Sequence, residues 1–75
     1  MTLKGGEQVR EWLKEKRTEK GLTMAKIAEQ LSITEGYYSL IEAGERQKKM
    51  DLGLVTKLSV ILEMPIEQIA ELEQR

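Results

Sequence analysis

Apolar residues recur at helical spacing along most of this chain. From Glu7 to Lys20, strong helix formers carry Val9, Trp12 and Leu13 on one side, which predicts a first helix. Gly5-Gly6 reads as a flexible lead-in, and Gly21 as the stop, with Lys20 well placed in the last turn. Thr23 is an N-cap for a second helix, "MAKIAEQL", whose Met24, Ile27, Ala28 and Leu31 form one stripe. After a short break at Ser32-Ile33, Thr34 caps a third helix, "EGYYSLIEA", which Gly44 ends. A fourth is predicted over residues 51–63, with Leu54, Leu58, Ile61 and Leu62 as its buried stripe and Gly53 in its first turn. Pro65 cannot continue that helix, but it suits the first position of a fifth, "IEQIAEL", with Ile66, Ile69, Ala70 and Leu72 as apolar points. No strand pattern competes, and no internal repeat is present. The expected fold is all-α: one compact domain, residues 1–75, of five short helices.

Composition narrows the chemistry. A chain of 75 residues with 40% hydrophobic and 33% charged residues fits one small globular domain with a thin core. It has no Cys and no His, so disulfides, thiolate or imidazole metal sites and the usual general base are excluded. No cofactor or metal is expected. Carboxylates such as Glu11, Glu15 and Glu19 alternate with lysines at helix-surface spacing and read as a solvated face, so an enzyme is not expected. No apolar run approaches a membrane helix and the start lacks a signal-peptide stretch, which makes a cytoplasmic location the expectation. The net charge of −1 hides an asymmetry. Residues 1–50 hold ten Lys/Arg against eight Asp/Glu, and residues 51–75 hold two against five, so an anionic partner should meet the first two thirds.

Helices two and three share a specific layout. Apolar Ile27, Ala28, Leu31, Ile33, Tyr38 and Ile41 flank a very short turn, with a small residue at 28 where the helices cross closely. This is a helix-turn-helix pattern, with the motif over about residues 23–43. The stretch "GLTMAKIAEQLSITEGYYSLIEAGER" resembles the phage-repressor/Cro-type helix-turn-helix domain, also called the xenobiotic-response-element family. "GLT", "IAEQL", "YYSLIE" and "G-x-R" stand where that family has them, and many small phage and mobile-element regulators carry a similar Tyr-Tyr-Ser followed by Ile-Glu. The resemblance extends from helix one through "LEMPIEQIAEL". It implies a five-helix, lambda-repressor-like fold and sequence-specific binding to double-stranded DNA, usually as a dimer, with the third helix in the major groove. It also implies a structural ion pair between Arg17 and Glu42. The departures are Met24 where Gln is common, Ser32 where Gly is usual, Pro65 where Ser is frequent, and a longer link after Glu45.

On a helical wheel, Tyr38 and Ile41 face the core and Glu42 lies at the edge. The free face, residues 35–43 of the recognition helix, offers Glu35, Gly36, Ser39, Leu40 and Ala43, with Tyr37 on the border as either core rim or contact. Arg, Lys, Asn and Gln, the usual direct readers, are absent from it. Glu35 can accept from a cytosine amino group, Gly36 permits close approach, Ser39 can donate or accept, Leu40 can touch thymine methyls, and Tyr37 can reach sugar or phosphate. These are the expected base-reading residues, so specificity should lean on DNA shape and a second subunit. Phosphate contacts are expected from Arg46, Lys48 and Lys49 in the following loop and from the helix starts at Thr23-Met24 and Thr34, with Lys26 beside the first.

Ile66, Ile69 and Leu72 exceed what a free terminal helix needs. They either close the core or form a homodimer contact. The leading expectation is a transcriptional regulator, a repressor acting by operator occupancy. The alternative is a protein-interaction module on the same fold, an antirepressor or antitoxin, binding another regulator or a toxin through the helix-three face or the C-terminal helix.

Overall fold

A computed structural model describes residues 9–74. Five helices follow in order: α1 (Glu11–Glu19), α2 (Met24–Leu31), α3 (Glu35–Glu42), α4 (Leu52–Leu62) and α5 (Ile66–Glu73), with no strand among the described residues. The fold is the all-α helix-turn-helix architecture that the sequence predicts. Gly5-Gly6 and the predicted helical start at Glu7 lie outside the described residues. Val9 and Arg10, expected inside the first helix, precede it instead. The Arg10 amide donates to the Glu42 carbonyl at 2.9 Å, which holds the chain against the end of α3 before the helix begins. Pro65 is the N-cap of α5 and not its first residue, with φ −63° and ψ 147°.

Three helices begin on side-chain caps: Thr23 and Thr34, as the sequence predicts, and Asp51, expected instead as the first residue of its helix. Thr23 accepts from the Lys26 amide at 3.0 Å, Thr34 from the Tyr37 amide at 3.1 Å, and Asp51 from the Leu54 amide at 2.7 Å. α1 to α4 end alike. A residue just past the helix takes a left-handed conformation, and its amide and the next one bond back to the last turn: Gly21 and Leu22, Ser32 and Ile33, Gly44 and Glu45, Glu63 and Met64. Glycine suits two of these sites. Ser32 (φ 62°) and Glu63 (φ 56°) adopt the same geometry at a cost of about 1–2 kcal/mol each. Leu22, Ile33 and Met64, the residues that follow, pack on or into the core and anchor the turns.

The core joins all five helices through Leu13, Ile27, Ala28, Leu31, Tyr38, Ile41, Leu58, Leu62, Met64 and Ile69. α2 packs mainly on α3, and α4 seats against both α2 and α5. Ala28, 1% exposed, leaves the space that the tight α2–α3 crossing needs. Ile69 is fully buried in this single-chain core, the first of the two roles expected of it.

Charged side chains also lie within this packing: Arg10, Arg17 and Glu42. Glu42 is 5% exposed and accepts from Arg17 Nε at 2.9 Å, from Arg17 Nη2 at 3.3 Å and from the Tyr38 hydroxyl at 2.7 Å. Arg17 also donates to the Leu22 carbonyl at 2.9 Å, fixing the turn after α1. The hydrogen bond from Arg17 to Glu42 raises the guanidinium pKa, against the opposing effect of burial. Burial and then the bond to Glu42 push the Tyr38 hydroxyl well above the ordinary tyrosine range, so it stays a donor. Removing one partner strands a buried charge. Glu42→Ala is expected to destabilise the domain by about 3–5 kcal/mol in urea unfolding, far more than loss of the exposed Lys26–Glu29 pair.

Candidate nucleic-acid interface

The turn between α2 and α3 is short because its amides are already spent: Ser32 N–H donates to the Glu29 carbonyl and Ile33 N–H to the Ala28 carbonyl, both at 3.0 Å. Tyr38 and Ile41 anchor one side of α3 in the core, and Arg17 grips Glu42 at its end. The opposite side stays accessible. Glu35, Gly36 and Leu40 (38% exposed) face solvent, while Ser39 and Ala43 are half-buried. Ser39 and Ala43 line one shallow recess with Met24 at the start of α2 and Lys14 of α1. The recess shows that the start of α2 and the outer face of α3 adjoin.

The helix starts are suited to an anion. In α3, the Thr34 hydroxyl oxygen accepts the Tyr37 amide and the Thr34 carbonyl accepts the Tyr38 amide. The amides of Glu35 and Gly36 precede that ladder. A threonine hydroxyl that accepts from its helix can still donate its proton outward. Thr23 at α2 repeats the arrangement. The Met24 side chain packs partly on the core and lines the same recess. Lys26 pairs with Glu29 at 3.5 Å, an exposed contact that a phosphate can replace at little cost.

The two expected roles of Tyr37 separate here. Its ring packs partly against the core beside Ile33, Ile41 and Leu54, and its hydroxyl accepts from Gln47 Nε2 at 3.3 Å. Tyr37 is therefore a rim residue joined to the loop after α3, with its O–H proton left to donate. The basic loop divides as well. Arg46 stays with α3, its amide bonding to the Leu40 carbonyl at 3.2 Å. Lys48 and Lys49 lie along a groove with Ile69, Ala70, Glu73 and Gln74 of the α5 end. All three basic residues are exposed, and none forms an ion pair among the described residues. Of the C-terminal apolar residues, Ile66 is 41% exposed and Leu72 is half-buried next to Val9 and Trp12. The residue that sequence reasoning missed is Arg10. It is 7% exposed and bonded to the loop and to α5. A charged residue predicted on a helix surface gives no local sign of such burial.

With this geometry in view, comparison with known proteins gives a family. The model described as helix-turn-helix (HTH_3) matches residues 13–69, and the chain belongs to that family. It is also similar to YqaF of Bacillus subtilis (strain 168), described as an uncharacterized HTH-type transcriptional regulator, with 44% identity over 39 residues. That match covers 52% of this chain and 51% of the relative, so the chain spans about half the length of the curated relative it matches. No solved structure matches the chain. No helix among the described residues is long and apolar enough to cross a membrane.

Gly36 carries a specific implication. It is helical and exposed, and a Cβ built on it meets nothing within 4 Å. The fold itself has no need of glycine there; in mid-helix glycine costs about 0.5–1 kcal/mol relative to alanine, and less in the first turn, where Gly36 sits. Gly36→Ala is therefore expected to leave the unfolding free energy unchanged or raise it by up to about 0.5 kcal/mol in a thermal or urea melt.

Proposed function

We propose that the chain is a sequence-specific transcriptional regulator of double-stranded DNA, a repressor that acts in the cytoplasm by occupying an operator. The observation that carries this reading is the division of α3. One side is locked inward by Tyr38, Ile41 and the buried Glu42, and the other is left exposed beside the capped start of α2. Membership of the helix-turn-helix family and likeness to a relative described as a transcriptional regulator support it. In this reading α3 enters the major groove. Glu35, Gly36, Ser39 and Leu40 meet base edges, with Tyr37 at the border. Thr23, Met24, Lys26, Thr34, Arg46, Lys48 and Lys49 meet phosphates.

With no Arg, Lys, Asn or Gln on its exposed side, α3 forms few strong base-edge bonds. Readout then rests on close approach at Gly36, methyl contacts at Leu40 and sequence-dependent DNA shape. Affinity comes from the phosphate contacts and from pairing of two subunits across a two-fold site. Leu52, Val60 and Ile66 are the exposed large apolar side chains of α4 and α5, and a homodimer contact would draw on these in place of Ile69. The exposed Leu40 beside Glu35 also fits the second reading, in which the α3 face binds a protein.

Fluorescence anisotropy tests the proposal with two labelled duplexes, one from upstream of the chain's own gene and one scrambled. Selective binding is expected, with log K falling linearly in log salt by about 0.9 per phosphate contacted. Arg46→Ala should lower that slope by about 0.9 for both duplexes. Glu35→Lys should raise DNA affinity if α3 meets DNA, whereas lost binding to a protein partner with no gain on DNA would favour the second reading. Absence of binding to either duplex at low salt would sink the DNA proposal.

A further inference from the structure

Arg10 stands outside any helix, yet it is 7% exposed and uses its whole guanidinium. Nε donates to Glu73 Oε2 at 2.8 Å and Nη2 to Glu73 Oε1 at 3.0 Å. Nη1 donates to the carbonyls of Ile41 at 2.6 Å and Arg46 at 3.3 Å, and Nη2 also donates to the carbonyl of Gln47. Five N–H donors thus meet five bonds, all that an arginine has. Trp12 Nε1 holds the same Glu73 carboxylate at 2.8 Å. One cation therefore gathers the end of α3, the loop after it and the last turn of α5.

The loop depends on this grip in a specific way. Gln47 sits at φ 55°, a left-handed conformation that a non-glycine residue adopts only when its surroundings impose it. Its carbonyl is bound by Arg10. Its side chain donates to the Tyr37 hydroxyl at 3.3 Å and accepts from the Asp51 amide at 3.0 Å. Gln47 therefore joins the border of α3 to the cap of α4, and Arg10 fixes its main chain. Lys48 and Lys49 follow directly and lie in the groove that Glu73 helps to line.

We propose that Arg10 and Glu73 are positioning residues for the basic loop: the Arg10–Glu73 pair, through the carbonyls of Arg46 and Gln47, sets the conformation of residues 45–51 and so the placement of Arg46, Lys48 and Lys49 for phosphate. The effect on affinity rests on the DNA-binding reading, whereas the effect on the loop does not. Without Glu73 the guanidinium is a nearly buried cation facing only neutral carbonyls, and it turns to solvent and releases them. Both partners are shielded, with side chains 7% and 19% exposed, so ordinary salt does not undo the pair.

The sign of the effect separates this mechanism from general electrostatics. Removing a carboxylate makes the chain one unit more positive, which alone favours DNA. Glu73→Gln is expected to do the opposite, weakening binding by about three- to tenfold and lowering the salt slope by about 0.9 for each loop phosphate lost. Glu71→Gln, an equal change of charge at an exposed site two residues away, should leave affinity equal or slightly higher.

Hydrogen exchange on the full chain without DNA gives the independent readout. In Glu73→Gln the amides of Glu45, Arg46 and Asp51 should exchange faster, while those within α2 and α3 keep their protection, and Glu71→Gln should match the parent chain. If Glu73→Gln unfolds the whole domain, Arg10→Lys is measured in its place. It keeps the charge but loses the fork and should show the same local loss. Unchanged exchange over 45–51, or loop exchange that rises only together with α2 and α3, would overturn the proposal whether or not the chain binds DNA. A parent chain that binds no duplex would overturn the DNA reading alone, and loop exchange would still decide the coupling. Faster loop exchange with unchanged DNA affinity and slope would refute the link to phosphate contact.

Discussion

The carboxylate of Glu42 is the constraint on which the rest of this small fold depends. It sits at the end of α3, almost without solvent, and holds both the Arg17 guanidinium and the Tyr38 hydroxyl. Such a buried pair contributes little net stability over an apolar substitute, but it tolerates few alternative arrangements. Arg17 reaches Glu42 from α1 and binds the Leu22 carbonyl at the turn before α2. The pair therefore fixes how α3 is rotated about its own axis. That rotation decides which residues remain outside, and Glu35, Gly36 and Leu40 do so because Tyr38, Ile41 and Glu42 cannot.

The helices were legible in the sequence wherever the signal was local. Thr23 and Thr34 mark their helix starts, Gly21 and Gly44 mark two ends, and α2 begins and ends where its apolar stripe predicts. The Arg17–Glu42 pair was legible through the family resemblance, not through spacing. What escaped depends on contacts remote in sequence. Val9 and Arg10 look like helix formers, but Arg10 is taken up by Glu42, Ile41 and Glu73, partners separated from it by 31 residues or more. Ile66, Ile69 and Leu72 are equivalent as apolar letters, and only packing divides the fully buried Ile69 from the exposed Ile66. Likewise "RQKK" reads as one basic run, whereas the left-handed Gln47 turns the chain between Arg46 at α3 and the lysines at α5.

The two sides of α3 differ in what the fold asks of them. The inward residues are complete in their packing and hydrogen bonds. The outward residues include one, Gly36, that costs helix stability and answers to nothing within the chain. The left-handed Ser32 and Glu63 differ, because each ends a helix and is compensated by the apolar residue that follows it into the core. Under the proposed DNA-binding reading, Gly36 lets a duplex approach the helix closely. The loop that follows adds exposed Arg46, Lys48 and Lys49 beside main-chain carbonyls bound by the buried Arg10.

Contact between duplex DNA and the outer face of α3, the start of α2 and the basic loop, as proposed, is tested most directly by following backbone amide NMR signals as a duplex from upstream of the chain's own gene is added. Shifts concentrated at residues 23–26, 34–40 and 45–49, with α5 little changed at low protein concentration, are the predicted result. Shifts confined to the outer faces of α4 and α5, around Leu52, Val60 and Ile66, with α3 unmoved, would contradict it.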